Sequence, residues 1–330
     1  MAAPYRLFGS ELSPYSVKVR SYLRYKGVAH QWLARGPDTA AEFDAFAKLP
    51  LIPLLVTPDG RGLQDSTPLI EALDGDWPEP TIDPDEPVAK FVSALIEEYA
   101  DEWVNKPMFH YRWSYDADAR SAAARIVQGS MPALSPAEAE RAADAIRARM
   151  VGRLALVGSS AATAPIIEAS LQRLLAILER HLKSRPYLFG ERPALGDFGL
   201  FAQLYECSTD PTPGALVEAA PAVSAWVARM LDPQVKGPFE RWRDLEPTLR
   251  PLLDEEVTAV FLPWSRANAH AIQAGSATMT VDLPGGAFAQ TPQRYHARSL
   301  AELGRKYAAL QDKEQIHPAL RAALGRLAIA

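Results

Sequence analysis

The chain has 330 residues, of which 48% are apolar and 23% charged, and a formal net charge of −5. That length is enough for two domains and a core without disulfides, and the weak acidity, with scattered basic residues, leaves no footprint for nucleic acid. A single cysteine, Cys207, excludes a disulfide framework and a cysteine metal site, a usage that fits the cytoplasm.

MAAPYRLFG lacks the basic-then-apolar order of a secretory signal, and the run 49–56 is too short for a membrane span and is broken by Pro50 and Pro53. A soluble chain with no membrane partner is expected. In chain order, 5–9 reads as a strand. Ser13 and Pro14 then open a helix that Gly27 ends. A strand over 30–34 and a short helix over 39–48 follow. Strands over 53–57 and 62–64, joined at Asp59-Gly60, read as a hairpin, and Ser66 caps a third helix. The segment 74–87 is acidic, proline-rich and aperiodic, which marks a linker.

Beyond it the patterns are helical: 88–105, a start at the capping box Ser135–Glu138, 166–182, 195–204 and 222–231. Pro107 is expected to break the first of these. A helix over 252–274, with Pro263 inside, precedes a small hairpin at 278–290 and a last amphipathic helix over 293–310. The domain reading is therefore 1–75, a linker 76–87, a helical domain 88–232 and an extension 233–330 packed on the helical domain. The fold class is an α/β domain followed by an all-α domain with a helix–hairpin–helix extension.

Ser13 at one helix start, Pro53 between apolar pairs, Asp65-Ser66 at the next helix start and PYLFGERPALGDFGLFAQLY (186–205) together resemble the glutathione S-transferase family. The resemblance spans residues 5 to 231. It implies a thioredoxin-like first domain, an all-helical second domain and a homodimer. It implies glutathione as co-substrate and a small hydrophobic electrophile as the second substrate; with no H-x-E-x-H, Walker or dinucleotide-type glycine motif in the sequence, no metal, nucleotide or flavin is expected. Ile52, before a cis Pro53, would pair with the tripeptide backbone as an added strand. Asp65 would face the γ-glutamyl ammonium and Ser66 its carboxylate. Ser13 would donate to the glutathione thiolate, as the catalytic residue of a serine-type transferase with a role in detoxification. It stands where a cysteine would form a mixed disulfide. Tyr15, Trp103, Phe109, His110, Tyr111 and Trp113 are candidates for the electrophile pocket, although most of these rings suit a core. In the extension, Trp264, His270, Phe288 and Tyr295 are the candidates to reach the site.

The pattern departs from the family at three places. Leu51 stands where many members have lysine, Asp65 where a longer acidic or amide residue is usual, and Ala194 where a Ser or Thr caps the helix of Asp197. A glutathione-dependent lyase or isomerase, and a non-catalytic binding or assembly protein of the same fold, are the alternatives. Cys207, with no basic neighbour, is expected to be a buried, inert thiol.

Overall fold

A computed structural model describes residues 4–327. It begins with β1 (Tyr5–Gly9), α1 (Pro14–Tyr25), β2 (His30–Ala34), α2 (Ala40–Phe46), β3 (Leu54–Val56), β4 (Gly62–Gln64) and α3 (Ser66–Asp76). The sheet order is β2-β1-β3-β4, with β1 parallel to β2 and β3 antiparallel to both its neighbours. Side chains alternate across the pleat and so fill two different layers. Leu7 and Leu55 join α1 and α3 in the main core, while Phe8, Leu54 and Val56 close over Phe43 of α2.

The helical part runs through α4 (Pro87–Tyr99), α5 (Asn105–Ser114), α6 (Asp116–Ser130), α7 (Pro136–Val151), α8 (Ala164–Leu182), α9 (Leu195–Ser208), α10 (Pro211–Glu218) and α11 (Pro221–Met230). It ends with α12 (Trp242–Pro251), α13 (Leu262–Gln273), the antiparallel pair β5 (Met279–Leu283) and β6 (Gly286–Gln290), α14 (Arg294–Ala309) and α15 (Pro318–Gly325).

The expected break at Pro107 is not there. A π turn over Ala100–Val104 joins α4 to α5 without interruption. The wider turn just ahead of Pro107 relieves the carbonyl that its ring would strike and absorbs the missing amide. A longer π stretch, Leu252–Phe261, joins α12 to α13 in the same way beside Pro251 and Pro263.

The cap that Ala194 lacks is replaced from another helix. Ser93 of α4 accepts from the Gly196 amide at 2.9 Å, while Asp197 accepts from Leu188, Ala194 and the Trp226 indole at 2.8 to 3.0 Å. Gly196 is needed here, because a Cβ would come within 2.9 Å of the Ser93 carbonyl. The last turn of α8 carries His181, whose ring nitrogens sit 2.9 Å from the Leu188 carbonyl and 2.8 Å from Thr248 Oγ1. Burial pushes this imidazole down to about 4. A histidine depressed in the folded state stabilises fully above its unfolded value, and that contribution is lost as the pH falls toward about 4. The urea midpoint is therefore expected to fall below about pH 6.5. In His181→Gln this part of the acid slope should flatten, and an unchanged slope would remove His181 as its source.

Candidate functional site

β1 delivers the chain to the start of α1 through Gly9. A Cβ there would lie 2.7 Å from the Trp32 ring and 2.8 Å from Ser16, so only glycine permits this closeness. Ser13 follows in an extended conformation as the cap of α1, and its Oγ accepts from the Ser16 amide at 3.3 Å. Its hydroxyl proton has no acceptor among the described residues. Pro14 has no amide proton, and the Tyr15 amide has no backbone acceptor, which leaves a free donor at a positive helix end.

The loop carrying Ser13 is tied down from the helical part. Arg112 of α5 donates to the Leu12 carbonyl at 3.1 Å while its other nitrogens hold Asp210 at 2.6 Å and Glu206 at 2.7 Å. Burial pushes the Glu206 carboxyl up to about 7, against the pull of Arg112.

The peptide Ile52–Pro53 is cis. Neither the amide nor the carbonyl of Ile52 takes part in a hydrogen bond among the described residues. Gln64 sets the loop leading to it: its amide accepts from Lys48 and Leu49 at 2.8 and 3.0 Å and donates to Leu49 and Leu51 at 2.8 and 2.7 Å. At the next helix start, Asp65 has φ +75°. For a residue other than glycine that conformation costs about 1–3 kcal/mol. The Ser66 and Thr67 amides have no backbone acceptor and Pro68 has no amide proton, so α3 also presents free donors.

Beneath Ser66 lies Lys18, an α1 residue that is fully buried. Its ammonium is 3.4 Å from Ser66 Oγ, 3.0 Å from Thr67 Oγ1 and 2.7 Å from Asp101, and it also pairs with Glu97. Burial pushes the Asp101 carboxyl up, and Lys18 beside it pulls the other way.

Residues 12–75 match the glutathione S-transferase N-terminal domain and residues 136–229 the glutathione S-transferase C-terminal domain. The chain belongs to the glutathione S-transferase family. It is similar to an isoprene-epoxide–glutathione S-transferase of Rhodococcus sp. (strain AD45), at 26% identity over 206 residues, 61% of this chain and 82% of the relative. Among solved structures it resembles the β-etherase LigF of Sphingobium sp. strain SYK-6, with 18% identity, 75% of this chain, 99% of that one and a TM-score of 0.49. It also resembles a glutathione S-transferase of Methylobacterium radiotolerans in complex with glutathione sulfonate, with 21% identity, 72% and 97% coverage and a TM-score of 0.45.

Against the pattern of this transferase family, the structure separates the candidate pocket residues. Trp103, His110, Tyr111 and Trp113 are buried. Trp103 bonds Ser170 and packs on Trp264 and Phe288, and His110 is held between Ser159 at 2.8 Å and Glu168 at 3.1 Å. Tyr15 and Phe109 remain partly accessible. The Tyr15 hydroxyl donates to the Asp101 carbonyl at 3.0 Å and accepts from Asn105 at 3.2 Å. Phe109 shares an apolar cluster with Leu12, Ile126, Ile146 and Met150.

That cluster borders a cleft of about 490 Å³, lined by Met131, Ile126, Ile146 and Met150 of the α6–α7 hairpin region and by Arg35 and Gly36 after β2. Leu12, the residue before Ser13, packs in the same cluster but does not line the cleft. Cys207 is buried, and its surroundings push the thiol up. Among the extension's candidates, Trp264 and Phe288 are buried and His270 is exposed. Tyr295 does reach the site: its hydroxyl donates to Asp65 Oδ2.

Sequence reasoning missed Lys18, Gln64 and Arg112. Lys18 had a signal, a lone charge on the apolar side of α1, whereas Gln64 and Arg112 act on segments far away in sequence. Glu98, Glu102 and His296 form a group whose ligand atoms lie within 4.8 Å of one another. The imidazole sits 3.4 Å from each carboxylate, and the two acids raise its affinity for a proton against the effect of burial, so the trio ties α14 to α4 and the π turn after it. Among the described residues no helix is long and apolar enough to cross a membrane.

Proposed function

We propose that this chain binds glutathione in the groove between the starts of α1 and α3 and transfers its thiolate to a small hydrophobic electrophile. The observation that carries the reading is the arrangement of free donors. Unbonded amides at two helix N-termini flank the open backbone of Ile52, and Ser13 adds a hydroxyl whose proton is uncommitted.

In this reading the cysteinyl backbone pairs with Ile52, and the γ-glutamyl carboxylate takes the Ser66 and Thr67 amides together with the Ser66 hydroxyl. The ammonium faces Asp65. The thiolate lies at the start of α1, where the Ser13 hydroxyl, the Tyr15 amide and the helix dipole favour the anion over the thiol. Catalysis then consists of holding a preformed thiolate against its target, with the donors already aimed at the sulfur. Lys18, itself paired with Glu97 and Asp101, donates to the Ser66 hydroxyl from inside the fold.

The cleft between the α6–α7 hairpin and the segment after β2 suits the electrophile, since methionine and isoleucine make an adaptable apolar lining. The curated relative acts on an epoxide, which makes small epoxides the first electrophiles to try. Leu49 and Leu51, exposed on the loop before β3, are apolar surface that a second copy would cover in a homodimer.

Calorimetric titration with glutathione tests the reading. Saturable binding at millimolar concentration or below, with turnover of an epoxide or aryl halide, is the expected result. Absence of binding at millimolar glutathione would place the chain among non-catalytic members of the fold.

A further inference from the structure

Asp65, the residue assigned to the ligand's ammonium, does not stand alone at the start of α3. Tyr295, which is 230 residues away in sequence, donates its hydroxyl to Asp65 Oδ2. The helix that carries it, α14, is anchored at two further places. Lys306 pairs with Glu71 of α3 at 2.6 Å, and His296 sits between Glu98 of α4 and Glu102 of the π turn that follows it, 3.4 Å from each. The Tyr295 ring is 54% exposed, so its presence at Asp65 is not a demand of core packing. Burial of the hydroxyl, with Asp65, Glu102 and Asp101 nearby, keeps it protonated and therefore a donor.

We propose that Tyr295 is a ligand-binding residue of the glutathione site and determines recognition of the γ-glutamyl ammonium. The proposal rests on the glutathione reading above. The hydroxyl proton is committed to Asp65 Oδ2, which orients the carboxylate and leaves Oδ1 free for the ammonium. The hydroxyl oxygen keeps a lone pair that accepts a second N–H from the same group. An ammonium held by Oδ1 and Oη together satisfies two of its three protons, a bidentate grip that a carboxylate exposed at a helix start would not give alone. The C-terminal extension is then a wall of the co-substrate site.

The test is calorimetry on the full chain with glutathione and with N-acetylglutathione, which lacks the ammonium, for wild type, Tyr295→Phe, Asp65→Asn and the double variant. Wild type should prefer glutathione. Tyr295→Phe should weaken glutathione roughly 3- to 10-fold while leaving N-acetylglutathione nearly unchanged. In the Asp65→Asn background the same change should have little further effect. Equal weakening of both ligands, or no change in either, overturns the proposal while leaving the glutathione reading in place. If wild type binds neither ligand, the glutathione reading fails and this proposal fails with it. Thermal unfolding of each variant confirms that the fold is kept.

Discussion

Replacing Ser13 by alanine is expected to lower glutathione turnover roughly 10- to 100-fold, at a stability cost of about 0.5–2 kcal/mol for the lost cap of α1. The size follows from losing one hydrogen bond to a charged group, about 1.5–3 kcal/mol. The effect should be read in two ways. The pKa of the bound thiol, followed by thiolate absorbance, should rise by about one to two units, and the loss of rate should shrink at alkaline pH where the thiolate forms unaided. The fold tolerates the change, since Ser13 Oγ makes a single 3.3 Å contact to the Ser16 amide and the dipole of α1 remains. A variant with wild-type turnover and an unmoved thiol pKa would leave the Tyr15 amide and the helix end as the whole of the activation. Ser13→Cys should instead form a mixed disulfide with oxidised glutathione, detectable by mass.

Replacing Arg112 by methionine is expected to cost roughly 3–5 kcal/mol, the usual result of removing one member of a buried ion cluster. Glu206 and Asp210 are both buried, and with Arg112 gone Glu206 loses its cationic partner, while Asp210 keeps only Arg125. Urea unfolding should show a midpoint shifted far below wild type. A double variant, Arg112→Met with Glu206→Leu, should recover much of that loss, because it removes the stranded charge along with its partner. It should not recover glutathione affinity in full, since the bond from Arg112 to the Leu12 carbonyl is still missing. Recovery of both properties together would show that Arg112 supports the fold without positioning the Ser13 loop.

The strands and helices of the first 75 residues were readable because each is short, strongly patterned and punctuated by Ser-Pro, Gly27, Asp59-Gly60 and Asp65-Ser66. A helix crossing Pro107 was not readable. Local rules make proline a terminator, and they cannot register a π turn whose cost is offset by packing between α4, α5 and α9. The α6–α7 hairpin left only its capping box in view, because its alanine-rich helices bury a weak stripe against Leu12 and Trp113. The replacement of the Ala194 cap by Ser93 had no local signature either, with 100 residues between Ser93 and Ala194.

The sequence by itself determined the chemistry on offer. It holds a hydroxyl in place of a thiol at position 13, a proline after Ile52, an acid and a hydroxyl at positions 65 and 66, and no cysteine pair anywhere. These are properties of residue type and short spacing, and they survive without a fold. Tertiary structure decided which groups are free to act. It buried Trp103, His110, Tyr111 and Trp113, placed Lys18 under Ser66, tied Leu12 to Arg112 and brought Tyr295 onto Asp65. Each of those outcomes joins segments tens to hundreds of residues apart. Only the packing of whole elements, with burial fixing which polar groups must find partners, could select them.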